Sequence, residues 1–204
     1  MMRRDHCLEI LARHHDGEIV VAAYQAAFEW QVIKPGPLNF LSTGAMGQAS
    51  SHALGFALGR PDKRVIVLDG DGSLLMNLGS LVTIANAAPS NLVHILCQNG
   101  TYEANGGHPI PGQGVVNFSD LARAAGYRSV HEVANLYHWE AAAGGIIAET
   151  GPVFVDLKVE QGEAYPMDFS TLHSLEQQQE FRQALQAEAP SPPTLALPHK
   201  EGGS

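Results

Sequence analysis

Two apolar runs constrain this chain more than any other feature: Val65-Ile66-Val67-Leu68, and Leu92, Val93, Ile95 and Leu96 within the stretch 91–98. A strand with one wet face alternates apolar and polar residues. A run that is apolar at nearly every position needs cover on both faces, as strands have in a parallel sheet with helices above and below. Parallel neighbours need a crossover connection, and the residues between the runs supply one. Leu74, Leu75, Leu78, Leu81, Val82 and Ala85 fall on a single stripe of a helix predicted from Ser73 to about Ala88, which Pro89-Ser90 ends.

The same alternation extends in both directions. Residues 4–15 read as a short amphipathic helix, Glu18 to Tyr24 as a strand, Gln25 to Val32 as a helical piece and Leu38 to Ser42 as a second strand. Residues 48–59 form a helix with Ala49, Ala53 and Ala57 on one small-residue face. Beyond the second run come a loop over 99–115, a helix over 117–125 capped by Asn117 or Ser119, a strand from Tyr127 to Val133, a helix from Leu136 to Ala148 and a strand from Val153 to Val159. The order βαβα throughout predicts an α/β fold, a single doubly wound parallel sheet with helices on both faces. Residues 1–165 make one cofactor-binding domain. Residues 166–188 form an exposed C-terminal helical segment, and the Pro/Gly/Ser-rich stretch 189–204 is expected to be a disordered tail.

Chemistry collects where strands end. The first run closes in Asp69-Gly70-Asp71-Gly72-Ser73, a strand, a tight turn and a helix start, whose free backbone N–H groups favour a phosphate. Asp71 adds a hard carboxylate, and Mg²⁺ is usually held by one or two carboxylates together with substrate phosphates. Asn99, a neutral oxygen donor, ends the second run 28 positions later, a gap that one helix and one strand fill. Both residues then sit at carboxyl ends of parallel strands, where ligands bind in open α/β sheets. The pattern points to a site for Mg²⁺ and a diphosphate. A third element, Thr43-Gly44-Ala45-Met46-Gly47, ends the preceding strand.

These motifs resemble the diphosphate-binding domain of thiamine-diphosphate enzymes, whose signature is Gly-Asp-Gly followed after 25 to 30 residues by Asn. Within that family the resemblance is to the sulfopyruvate and phosphonopyruvate decarboxylases. It runs from about residue 5 to residue 165 and rests on 44–50, 68–79, Asn99 to Glu103 and Gly106-Gly107. It implies that Asp71 and Asn99 give side-chain oxygens, and Thr101 its backbone carbonyl, to Mg²⁺. It implies that Gly70, Gly72 and Ser73 meet the diphosphate, and that Ala45 and Tyr102 lie beside the cofactor. It implies too that the Gly44 carbonyl accepts from the cofactor's amino group. By the same resemblance Met46 looks like the apolar wedge that bends thiamine diphosphate so that this amino group reaches the reactive carbon. Tyr102, Glu103, Asn105 and His108 are candidates for substrate contact, with His108 the natural proton shuttle. Asn105 stands where some simple decarboxylases of the wider family carry a Glu. The family also needs a Glu on a separate pyrimidine-binding domain that this chain does not resemble. The resemblance therefore implies a hetero-oligomer whose pyrimidine-binding subunit supplies it.

Composition narrows the partners. The net charge of −9 argues against nucleic acid and anionic membranes, and no run is long enough to span a bilayer. Two cysteines, Cys7 and Cys97, allow no disulfide framework and no iron–sulfur ligation, and suit a cytoplasmic location. No pair among the ten His residues has zinc-site spacing. The expected activity is decarboxylation of a small 2-oxo acid to CO₂ and an aldehyde. A 2-oxo acid carboligase subunit and a non-catalytic cofactor-binding regulatory module are the alternatives. A sulfo- or phosphono-substituted substrate calls for cationic contacts, yet residues 99–115 contain neither Arg nor Lys.

Overall fold

The computed structural model describes residues 1–42, 46–160, 165, 167–172 and 174–187. In chain order the elements are β1 (Met2–Arg3), α1 (Arg4–His14), β2 (Ile19–Ala23), α2 (Tyr24–Ile33), β3 (Asn39–Ser42), α3 (Ala49–Gly59), β4 (Val65–Gly70), α4 (Asp71–Met76), α5 (Ser80–Ala87), β5 (Leu92–Gln98), β6 (Thr101–Tyr102), β7 (His108–Pro109), α6 (Phe118–Ala125), β8 (Ser129–Val133), α7 (Leu136–Ala148), β9 (Val153–Glu160), α8 (Phe169–Leu172) and α9 (Leu175–Ala187). Seven strands form one sheet in which every pairing is parallel. β4 lies between β2 and β5; β3 pairs with β2, and β9 pairs with β5, β8 and, at its carboxyl end, β1.

The two apolar runs are the centre of this sheet. Their side chains alternate between two cores, so that Ile66, Leu68, Val93 and Ile95 face α1, α2 and α7, while Val65, Val67, Leu92 and Leu96 face α3, α5 and α6. Trp30 and Trp139 are fully buried in the first core, each with its indole N–H satisfied at 2.9 Å, by Asn39 Oδ1 and by the Cys7 carbonyl. Burying an aromatic of this size removes about 150–250 Å² from water, so these two side chains dominate that layer. In the second core the small face Ala49, Ala53 and Ala57 of α3 lies close on the sheet. Thus the doubly wound parallel architecture is present.

Local differences have physical causes. The helix expected from Ser73 to Ala88 is two helices, and the first begins at Asp71. The break at 77–79 follows from Asn77, whose side-chain amide donates to the Gly47 carbonyl at 2.9 Å and so ties the chain sideways. Restarting at Ser80 resets the helical phase. Leu81 and Ile84 turn inward, and Val82, expected on the buried stripe, is 60% exposed. The stretch 99–115 is not structureless: β6 and β7 pair antiparallel around a single 3₁₀ turn at Glu103–Asn105. α9 is mostly exposed and is seated through Phe181, which is buried against Phe40 and Phe56 at ring distances of 5.4 and 5.2 Å. The stretch 189–204 lies outside the described residues. Among the described residues, no helix is long and apolar enough to cross a membrane.

Candidate cofactor site

The chain leaves β2 toward β3 on one side and β4 toward β5 on the other. The following helices, α2 and then α4 with α5, go to opposite faces of the sheet. Connections therefore diverge at the β2/β4 boundary, and a crevice opens outside the carboxyl ends of those strands. A cleft with about 470 Å³ of empty space lies there. Asp71, Asn99, Thr101, Tyr102 and Met46 all line it, together with Gly70, Gly72 and Ser73. Register explains the meeting of Asp71 and Asn99. Gly70 pairs with Cys97, so the residue after each strand emerges at nearly the same height.

Asp71 is 2% exposed. Its Oδ1 accepts the Gly72 N–H at 2.9 Å and its Oδ2 the Gly100 N–H at 2.6 Å. Among the described residues no cationic side chain pairs with it. Burial pushes its carboxyl up to about 6 from the ordinary 3.8, against the pull of the Gly100, Gly72 and Asn99 N–H groups. A buried carboxylate with no counter-charge is costly unless a cation arrives. Asn99 Oδ1 accepts from the Thr101 N–H (2.9 Å) and hydroxyl (3.1 Å), while its Nδ2 donates to Glu103 Oε2 (2.9 Å). Among the described residues there is no cluster of three or more His, Cys, Asp or Glu that could hold a metal. Asp71 and Asn99 offer one carboxylate and one amide oxygen to the cleft, hard oxygen donors of the kind that Mg²⁺ takes together with phosphate oxygens.

Two glycines make the cleft possible. Gly47 has φ +81°, and a Cβ there would lie 3.2 Å from Met76 Cβ and 3.3 Å from Asn77 Cβ. Its N–H donates to Ser73 Oγ at 3.0 Å, which fixes the turn carrying Met46 against α4 and leaves the Ser73 proton free to donate. Gly72 lies under the Tyr102 ring: a Cβ would come within 2.5 Å of Cδ1. Met46 is half-buried in the cleft wall. His108 is exposed on β7 and is not among the cleft-lining residues. Gly44 and Ala45 lie outside the described residues.

Sequence reasoning missed two features of this cleft. Tyr24, which lines it, has φ 46°, a rare conformation for a bulky residue and one that accumulates at functional sites. Arg4 also lines the cleft, 4% exposed, between Glu29 and Glu103. It donates to Glu29 through Nε (2.8 Å) and Nη2 (2.7 Å), and to Glu103 through Nη1 (2.5 Å) and Nη2 (3.1 Å). Burial raises the Glu29 carboxyl, and Arg4 pulls it back. The available signal was helical phase: Arg4 shares a stripe with Leu8 and Leu11, so the guanidinium had to enter the core paired.

Comparison with known proteins identifies the family. Residues 21–157 match the family described as thiamine pyrophosphate enzyme, C-terminal TPP binding domain. A phosphonopyruvate decarboxylase of Streptomyces hygroscopicus is 42% identical over 124 residues, which is 61% of this chain and 30% of that protein. The sulfopyruvate decarboxylase subunit beta of Methanothermobacter thermautotrophicus is 35% identical over 165 residues, which is 80% of this chain and 85% of that one. The chain thus spans less than a third of the first relative and most of the second. Among solved structures, benzoylformate decarboxylase from Polynucleobacter necessarius superposes with a TM-score of 0.62 at 21% identity, over 80% of this chain and 34% of that one; this likeness concerns the fold.

Proposed function

The chain belongs to the thiamine pyrophosphate enzymes, through their C-terminal TPP-binding domain, and from that premise we propose that it is the cofactor-binding subunit of a two-subunit, Mg²⁺-dependent 2-oxo acid decarboxylase of the cytoplasm. The observation that carries the reading is the buried Asp71 carboxylate, without a cationic side chain among the described residues, set beside Asn99 at the divergence point of the sheet. In this reading Asp71, Asn99 and the Thr101 carbonyl hold the ion. The backbone at Gly70 and Gly72 and the Ser73 hydroxyl bind the diphosphate. Met46 sets the bend of the cofactor, with Gly44, Ala45 and Tyr102 beside it. When bound, thiamine diphosphate supplies the electron sink for loss of CO₂ from a 2-oxo acid, leaving an aldehyde.

This chain's residues bind and orient; the catalytic Glu comes from a pyrimidine-binding partner subunit. The name of the relative from Methanothermobacter, a subunit beta matched over 85% of its length, supports the partner. The names of both relatives support sulfopyruvate or phosphonopyruvate as the substrate class. His108, exposed on the β6–β7 hairpin, can exchange a proton with substrate once a partner covers that face.

Native mass spectrometry of the protein from its own cells tests the reading. The expected result is a complex with a second chain, carrying thiamine diphosphate and Mg²⁺, that releases CO₂ from 2-oxo acids. A lone chain with no affinity for the cofactor refutes it. Within the complex, Met46→Ala should keep most cofactor affinity and lower turnover, whereas Asp71→Ala should abolish Mg²⁺-dependent binding.

A further inference from the structure

The Glu29–Arg4–Glu103 network ends on the amide nitrogen of Asn99. Glu103 Oε2 accepts from Asn99 Nδ2 at 2.9 Å and from Arg4 Nη1 at 2.5 Å, and Arg4 is itself gripped by both oxygens of Glu29. Arg4 and Glu29 are 4% and 2% exposed, so this support is anchored in the core between α1 and α2. We infer that Glu103, held by Arg4, is the positioning residue that keeps the Asn99 amide oxygen turned toward the metal. The inference rests on the metal assignment proposed above.

An amide presents oxygen and NH₂ in nearly the same shape, and only its hydrogen-bond partners decide which faces a given point. On the oxygen side, Thr101 supplies two donors to Oδ1. An amide oxygen has two lone pairs, so a cation taking one displaces a donor, and the Thr101 hydroxyl at 3.1 Å is the longer contact. The nitrogen side then becomes the anchor. Glu103 can only accept, which excludes the flipped amide. Arg4, bonded to both Glu103 oxygens, fixes where that acceptor stands. Support of this kind around a ligand typically carries about 10–100-fold in metal affinity.

The test titrates the full-length chain with Mn²⁺ in the presence of thiamine diphosphate, reading free ion by electron paramagnetic resonance. The melting temperature without metal is recorded for every variant. Glu103→Ala should weaken Mn²⁺ binding about 10–100-fold. Glu103→Gln retains an acceptor for Asn99 Nδ2 and should stay within about threefold, the worth of one weakened hydrogen bond. Asn99→Asp puts two acceptors face to face, and adding Glu103→Gln restores a donor to the pair. The cycle of these two substitutions should show a coupling of at least about tenfold favouring the reversed pair. Equal Mn²⁺ affinity for wild type and Glu103→Ala, with Asp71→Ala not binding, overturns this inference alone. So does an additive cycle, which settles the matter even if Glu103→Ala fails to fold. A wild-type chain that binds no Mn²⁺ overturns the metal assignment as well.

Discussion

Asp71→Asn should change how the stability of the metal-free chain depends on pH. In the folded chain the Asp71 carboxyl is raised to about 6, against 3.8 as an ordinary value. Between those values the folded state holds a proton that the unfolded state has released, so unfolding becomes easier as pH rises. The destabilisation is absent below the unfolded value and complete above the folded one. A carboxyl raised from 3.8 to about 6 is worth about 3 kcal/mol, and about half of that change falls between pH 5 and 7.5. Asn carries no such slope. It has a fixed handicap instead. Both Asp71 oxygens accept backbone N–H groups, and an amide can accept only one while its NH₂ opposes the other, a cost of about 1–3 kcal/mol at every pH. The absolute stabilities therefore test nothing, but their difference as pH changes does. Urea unfolding of both proteins in EDTA from pH 5 to 7.5 should show wild type losing about 1.5 kcal/mol relative to the variant. Adding Mg²⁺ and thiamine diphosphate at pH 7.5 should then stabilise wild type alone, by about 2.7 kcal/mol at a hundredfold excess over Kd. Curves that stay parallel in EDTA would refute the buried, uncompensated carboxylate.

Other perturbations probe the surroundings of the site. Gly72→Ala places a methyl 2.5 Å from Tyr102 Cδ1, so the ring must swing away; a loss of about 1–3 kcal/mol is expected in denaturant unfolding, and adding Tyr102→Ala should recover most of it. Gly47→Ala meets both a positive φ and two Cβ atoms within 3.3 Å; cofactor affinity by calorimetry should fall with stability, since this turn carries Met46. Phe181→Ala removes the ring that seats α9 on Phe40 and Phe56; proteolysis should reach the C-terminal segment while hydrogen exchange of β4 and β5 stays slow.

How much could be read in advance divides by the range of the interactions. Asp71, Gly70, Gly72 and Asn99 were legible because each marks the end of a strand whose apolar run is local. The sheet was legible because continuous apolar runs admit few architectures. The break between α4 and α5 was not, since its cause, Asn77 on Gly47, joins residues 30 apart. Strands of two residues, β6 and β7, are too short to show a period. The Arg4 network spans 25 positions to Glu29 and 99 to Glu103, and only the misplaced charge on the stripe of α1 hinted at it. The strain at Tyr24 left no trace, because nothing in the residue type announces a positive φ.

The charge balance of the cleft bears on the substrate. Residues 99–115 hold no cation, yet the fold brings Arg4 into the wall from the far end of the chain. That guanidinium is already engaged by two carboxylates. Among the described residues lining the cleft it is the one Arg or Lys, against Asp69, Asp71 and Glu103. Mg²⁺ would neutralise Asp71 but would also face the diphosphate. On the proposed reading, then, a doubly charged 2-oxo acid finds no spare positive charge on this described wall, and its recognition falls to the partner subunit. Exchanging the partner should therefore change substrate preference, while the Mg²⁺ and cofactor affinities set by this chain stay the same. Steady-state kinetics of reconstituted pairs would show a substrate preference that follows this chain if that division of labour is wrong.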